Sequence, residues 1–301
     1  MNGFPPPYAF FFLGEGNNGI ALRFADSVSD NNVVKITYAD KFPNEAPISL
    51  ALNDLKPETQ AFIHTSRSYE RHGIEPSWKH LLPKTHQDGT TLIDWEKYDS
   101  KRLTYIFMEY AAYRIRYPNA SAPGGCVTWV DLDAEAAKKV MFILLHALYV
   151  ARRELQFSHN DIHDGQIMLF LRDPSKPIHL GNGYKIENCL YIPKLIDFGA
   201  SVTGDTKEAL FSDDVGQLVA TFMKLHPQDD DLVESEAMGS SRRNFQVVKD
   251  LLDLDYFKEF RGGAEEVSSS APICIGCMAR ATHIMEKNGF HVCGAKCASI
   301  Y

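Results

Sequence analysis

Apolar positions along the chain change period several times, and each change marks an element. Tyr8 to Leu13 is an apolar, aromatic run, Ile20-Ala21-Leu22-Arg23-Phe24 alternates, and Val33-Val34-Lys35-Ile36-Thr37 is β-branched, so residues 8–37 read as three strands. Gly14-Glu15-Gly16-Asn17-Asn18-Gly19, between the first two, is a turn signal. A helix is expected from Pro57 to about Arg71, with Phe62 and Ile63 on its apolar side. Residues 76–102 are polar and turn-rich, with short strand character from Thr91 to Trp95. Leu103 to Ala111 reads as a buried strand. The clearest helix spans 133–156: Ala136, Val140, Ile143, Leu144, Ala147, Leu148, Ala151 and Leu155 recur at helical spacing, opposite Lys138, Lys139, Arg152 and Arg153. Ile167 to Leu171 and Leu190 to Ile196 read as a strand pair around a polar insert at 172–188. Val215, Leu218, Val219 and Phe222 form the stripe of a later helix.

Composition narrows the function classes. The chain has 301 residues, enough for one large two-part domain, and its 45% apolar content predicts a buried core. The formal net charge of −8 supplies no generic basic face, so nucleic acid is not an expected partner. No apolar stretch is long and uninterrupted enough to span a bilayer, and the start, MNGFPPPYAFFF, lacks the positive charge of a signal peptide. The expectation is an intracellular protein, cytoplasmic or nuclear, with no membrane partner. In that reducing setting, paired cysteines favour metal over disulfide.

Two acidic motifs carry the chemistry. His159-Asn160-Asp161 opens HNDIHDGQIML, and Asp197-Phe198-Gly199 closes YIPKLIDFG. In that order they supply a positioned base, Asp161, and then a metal-binding carboxylate, Asp197. A G-x-G-x-x-G run that opened a helix would suggest a dinucleotide site. Here a strand follows, as in a hairpin laid over nucleotide phosphates; the plainer alternative is a tight turn with no ligand. Lys35 at the end of Val33-Val34-Lys35 can reach phosphates as a point charge, or be an ordinary exposed strand lysine. Glu58, in the first turn of the expected helix, is its candidate partner. Glu45 is a rival, and Glu58 can equally be a favourable charge at a helix start.

The order of glycine hairpin, strand lysine, apolar strand, long helix, His-x-Asp loop and Asp-Phe-Gly resembles the protein kinase-like superfamily over roughly residues 8–225, with further helices expected to about 260. The loop His159-Asn160-Asp161-Ile162-His163 is similar to the atypical HxDxH branch, which includes haspin-like kinases, small-molecule phosphotransferases and serine/threonine kinases of large DNA viruses. The resemblance implies an α+β, two-lobed fold: a β-rich N-lobe over 1–110 and a helical C-lobe over 111–262 with ATP between them. It also implies roles. Gly14, Gly16 and Gly19 cover the phosphates, and Lys35 paired with Glu58 grips them. The backbone of Glu109 and Ala111 reads the adenine edge, with Met108 guarding the pocket. Asp161 accepts a hydroxyl proton, and Asp197 and Gln166 hold Mg²⁺. Phe198 packs near His159. Asp214, or its neighbour Asp213, accepts N–H bonds from the catalytic loop, unless it is a simple helix cap.

Three departures from the family pattern matter. Gln166 stands where the family has a metal-binding asparagine, one methylene shorter. His163 stands where protein kinases carry lysine. The span from Asp197 to Asp214 is short and no Ala-Pro-Glu closes it, so the segment that docks peptides is expected to be missing. The expected function is ATP-dependent transfer of the γ-phosphate to a hydroxyl, in the manner of an atypical serine/threonine protein kinase. The alternatives are a pseudokinase scaffold and a small-molecule kinase, so the hydroxyl substrate is a protein or a small molecule.

A polar linker, 263–272, leads to a small module at 273–301. There Cys274-x-x-Cys277 and Cys293-x-x-x-Cys297 have the spacing of a structural Zn²⁺ site, with His283 and His291 as substitute ligands and disulfides or free thiols as the alternative. A tail this short cannot build a core without the metal. Arg280, Lys287 and Lys296 are too few to suggest nucleic acid. Ile273, Ile275, Ile284, Met285 and Phe290 suggest a small apolar face for the kinase-like domain or a protein partner. Cys126 and Cys189 read as buried apolar side chains.

Overall fold

The computed structural model describes residues 9–16, 19–25, 32–86, 89–111, 113–114, 132–204, 214–223, 252, 255–260, 283–284 and 291–292. Strands β1 (Ala9–Gly16), β2 (Gly19–Ala25) and β3 (Asn32–Tyr38) occupy the three segments expected at the start. A short helix α1 (Glu45–Ala51) follows, then β4 (Thr65–His72), the single-turn α2 (Glu96–Asp99) and β5 (Arg102–Glu109). The five strands form one antiparallel sheet in the order β1-β2-β3-β5-β4.

The helix expected over 57–71 is absent. Thr65 to His72 instead pairs with β5, and Tyr69 stacks on Tyr105 with ring centroids 4.9 Å apart. The segment Thr65-Ser66-Arg67-Ser68-Tyr69-Glu70-Arg71-His72 has no apolar stripe at helical spacing, so long-range pairing decides its state. The helix that lies against β4 is α1, encoded by Glu45-Ala46-Pro47-Ile48-Ser49-Leu50-Ala51, where a proline in the first turn costs no hydrogen bond.

The sheet is covered on both faces. Val34 and Ile36 of β3 face outward into a core with Phe10, Ile20, Leu22, Phe24, Tyr105 and Phe107. That core is closed by Ile74 and by Trp78, Leu82, Ile93 and Tyr98 from the stretch read as polar and turn-rich. Its polar residues are surface, and its few large apolar ones form a lid over the sheet. The Thr91–Trp95 stretch contributes only an isolated bridge, Thr85 to Leu92.

The second half is built on α3 (Ala134–Leu155), within a residue of its expected ends. The Asp133 side chain caps it by accepting the Ala136 N–H at 2.7 Å, and Gln156 ends it in the left-handed conformation at φ 51°. Nearly every side chain from Ala137 to Ala151 is buried, so α3 is the central element of the larger core. Beside it lie β6 (Tyr113–Arg114), β7 (Ile167–Leu171), the small hairpin of β8 (Ile178–His179) and β9 (Lys185–Ile186), and β10 (Tyr191–Leu195). β7 and β10 pair antiparallel, as expected. Helix α4 (Asp214–Met223) packs on α3 through Leu218, Val219 and Phe222. In the tail, β11 (His283–Ile284) and β12 (His291–Val292) pair antiparallel. The architecture is mixed α+β, with a β-rich sheet first and helices later. No helix among the described residues is long and apolar enough to cross a membrane. Cys189 is buried, and its thiol donates to the Tyr191 carbonyl at 3.0 Å.

His146 in α3 carries a testable cost. Its Nε2 donates to the Gly181 carbonyl at 3.1 Å, while the buried Nδ1 has no partner. Burial pushes its pKa down to about 4, against the bond to Gly181 and the nearby Glu58 carboxylate. Below pH ~6.5 the unfolded chain binds a proton here that the folded chain refuses, so stability must fall as pH drops toward 4. Urea titrations at pH 7 and pH 5 should show a loss of roughly 1 kcal/mol per pH unit across that window from this group. His146→Phe should flatten that part of the slope; an unchanged slope would remove His146 as its source.

Candidate active site

Lys35 sits in mid-β3, between Ala21 and Ile106 of the neighbouring strands, and its side chain leaves the sheet on the face opposite Val34 and Ile36. There its ammonium makes an ion pair with Glu45 of α1 and donates to Asp197 Oδ1 at 2.6 Å. The site therefore joins the sheet, the helix beneath it and the loop after β10. Burial alone would lower the Lys35 pKa, but the two carboxylates outweigh it and hold the ammonium above its ordinary value. The same ammonium, working against burial, holds Asp197 below the usual carboxylate range. One cation between two carboxylates leaves the cluster with an excess of negative charge.

Glu58 is not the partner of Lys35. With the chain at 65–72 in a strand, Glu58 falls in the turn before it and pairs with Arg153 of α3; its carbonyl accepts the Gly181 N–H at 3.0 Å. The rival, Glu45, takes the role because it opens the helix that faces Lys35. Glu45→Gln should weaken any ligand that depends on an oriented Lys35. Glu58→Ala, which breaks a partly exposed pair, should cost under about 1 kcal/mol and leave ligand binding as it is. Calorimetric titration of Mg·ATP into both variants checks this, and the reverse pattern would restore Glu58.

Asp197 occupies the left-handed region at φ 65°, which is costly for a non-glycine residue and is maintained here by its ion pair and by packing of the following Phe198. Phe198 is buried against His159, Phe157 and Phe62, with ring centroids 5.6, 6.2 and 6.3 Å away. The buried His159 ring lies in the field of Asp214, Asp197 and Asp161 together, yet burial keeps it neutral, with Nε2 donating to the Ile196 carbonyl at 3.0 Å.

The loop carrying Asp161 is held from below. Asp214, the first residue of α4 and buried, accepts the N–H groups of His159 and Asn160, each at 2.7 Å. It does not serve merely as a cap within its own helix. One turn on, Gln217 accepts the Ile162 N–H at 2.8 Å, a role with no signature in the sequence beyond its spacing from Asp214. Asn160, itself at φ 65°, donates its side-chain amide to the Ala200 carbonyl at 3.2 Å. The result presents Asp161 half-exposed, with His163 Nε2 4.0 Å from its Oδ2. Nδ1 of His163 accepts the Gly165 N–H at 3.0 Å, so a neutral ring carries its proton on Nε2, facing Asp161. A Cβ at Gly165 would come within 2.7 Å of that ring, so glycine makes room for it.

Gln166 is buried beside Asp197, its Nε2 3.5 Å from Oδ2. Turning the amide over would offer Oε1 to the same point beside Asp197. Among the described residues, no group of three or more His, Cys, Asp or Glu side chains could hold a metal ion by itself. The donor set of one carboxylate and one amide oxygen fits Mg²⁺, a hard cation that takes one or two protein oxygens and completes its shell with water and phosphate.

The glycines at the end of β1 and the start of β2 differ in their surroundings. A Cβ built at Gly14 or Gly16 meets nothing within 4 Å, so both positions border open space. Gly19 has a different reason: at φ +141° its Cβ would lie 2.0 Å from the Ile36 carbonyl oxygen, so close strand approach demands glycine there. At the strand that ends β5, the Glu109 N–H is already donated to the His64 carbonyl at 3.0 Å, so a base edge read at this residue has to use its carbonyl. The Glu109 side chain turns away, accepting from His64 N–H at 2.8 Å and pairing with Lys194 at 2.9 Å. Met108 packs against the larger core, and Ala111 is buried. Asp213, Cys126, Cys274, Cys277, Cys293 and Cys297 lie outside the described residues.

No protein-family model matches the chain, and comparison with curated proteins finds no match.

Proposed function

We propose that this chain is an ATP-dependent phosphotransferase of the protein kinase-like kind, moving the γ-phosphate to a hydroxyl, with serine or threonine of a protein as the favoured acceptor. The observation that carries the reading is Lys35 held between Glu45 and Asp197, below a glycine turn that borders open space. Such chemistry asks for oriented charge more than for reactive groups. Lys35, fixed by Glu45, neutralises phosphate oxygens. Asp197, with the amide oxygen of Gln166, holds Mg²⁺, which when bound supplies charge compensation at the transferring phosphate. Asp161 orients the acceptor hydroxyl and takes its proton; its exposure leaves it open to an incoming substrate. His163 Nε2–H is placed to donate to a phosphate oxygen or to Asp161. The four tail cysteines are proposed to bind a structural Zn²⁺.

A second reading, a pseudokinase scaffold that signals through the cysteine-rich tail, draws support from Gln166, whose present hydrogen bond to Asp197 leaves its oxygen turned away from that carboxylate. A small-molecule acceptor remains the alternative substrate class within the first reading. The deciding experiment titrates Mg·ATP into the purified chain and follows γ-phosphate transfer to itself and to generic hydroxyl acceptors. Transfer by the wild type, at a rate that Gln166→Asn changes by less than about tenfold, is expected if the glutamine is a working ligand. Nucleotide binding with no transfer from either protein would favour the scaffold, and no binding at all would sink the phosphotransferase, since a scaffold can bind nucleotide or nothing.

A further inference from the structure

The register of β1 breaks between Phe12 and Gly14: Phe12 pairs with Leu22, but Gly14 pairs with Ala21 and Glu15 with Ile20. This bulge at Leu13 reverses the alternation for the residues beyond it. In an unbroken strand Gly14 would share the outer face with Phe12, and Glu15 would face inward over Lys35. With the bulge, Gly14 and Gly16 turn inward, and Glu15 turns outward beside Ile20, a member of the outer core.

Three side chains meet it there. Lys97 of α2 makes an ion pair with Oε1, the Tyr98 hydroxyl donates to the same oxygen at 2.9 Å, and His86 Nε2 lies 3.2 Å from Oε2. All three belong to the 76–102 stretch, whose Trp78, Leu82, Ile93 and Tyr98 close the outer core. Two of them are firmly seated: Tyr98 is buried and stacked on Tyr38 at 5.6 Å, and the His86 ring meets Phe12 edge-on at 4.6 Å. The outer carboxylate is thus fastened at two oxygens by an element with its own apolar anchor.

We propose that Glu15 is a positioning residue, clasped by His86, Lys97 and Tyr98, and that this clasp holds the glycine turn at a set height above Lys35 before any nucleotide arrives. This rests on the phosphotransferase reading for its consequence, which is that the clasp sets nucleotide affinity more than turnover. A hairpin ordered in advance loses less freedom on binding.

Two measurements on the full-length chain separate the claim from that reading. Amide hydrogen exchange without nucleotide should show the amides of 9–16 and 19–25 exchanging about tenfold faster in Glu15→Ala and Lys97→Glu, with partial recovery in the charge-swapped double variant Glu15→Lys/Lys97→Glu. Glu15→Ala should also raise the KM for Mg·ATP about tenfold while kcat falls by less than about threefold. Unchanged exchange in Glu15→Ala overturns the clasp, whatever the nucleotide does. Faster exchange with an unchanged KM overturns its link to affinity. Faster exchange in a protein whose wild type binds no Mg·ATP upholds the clasp and sinks the phosphotransferase reading instead.

Discussion

Asp161→Asn is expected to slow phosphate transfer by about 10²–10⁴-fold, the range for removing a positioned general base. Asparagine keeps the shape and loses the ability to take a proton. The fold should not notice. Asp161 is half-exposed and the His163 ring lies 4.0 Å from its carboxylate, beyond a normal hydrogen bond, so stability should stay within about 0.5 kcal/mol of wild type. Single-turnover transfer and a urea titration on the same preparation check both halves. Equal transfer by variant and wild type would remove Asp161 from the chemistry, and a large loss of stability would mean that it holds the loop together.

Asp214→Ala is expected to act the other way, through the fold. The carboxylate takes two backbone N–H groups, from His159 and Asn160, and alanine would leave both without an acceptor beneath the loop. At roughly 1–3 kcal/mol for each buried donor left unsatisfied, the loss should be about 2–6 kcal/mol. Asn160 sits at φ 65°, so releasing its N–H also frees the backbone to relax and carry Asp161 away. Transfer should fall together with stability. Asp214→Asn, which retains one acceptor oxygen, should lose less of each. An Asp214→Ala protein as stable as wild type would show that the loop is held by Gln217 and its own packing.

The strands and long helix were legible because their patterns are dense and local. Ile20, Leu22 and Phe24 alternate, and α3 repeats its apolar positions at helical spacing from Ala136 to Leu155. The His-x-Asp and Asp-Phe-Gly motifs singled out Asp161 and Asp197, and the charge of each acts on the buried His159 ring. Helix α1 was missed because seven residues with a proline make a weak pattern, and the misplaced helix took Glu58 with it. The Glu45 pairing depends on where α1 lies in space, which no local spacing encodes. The outer lid was missed for a related reason: Ile74, Trp78, Leu82, Ile93 and Tyr98 are scattered through polar sequence and become a surface only against the sheet. Gln217 left no mark beyond its register with Asp214.

The connections between the sheet and the helical half have a mechanical consequence. Residues 61–63 are stitched to β10, with Ile63 N–H on the Leu195 carbonyl at 3.1 Å, Leu195 N–H on the Ala61 carbonyl at 2.7 Å and Lys194 on the Phe62 carbonyl at 3.2 Å. The second crossing, at Glu109, touches the first directly through His64 and shares Lys194 with it. Lys194 is common to both crossings, so a change at this one side chain would loosen them together.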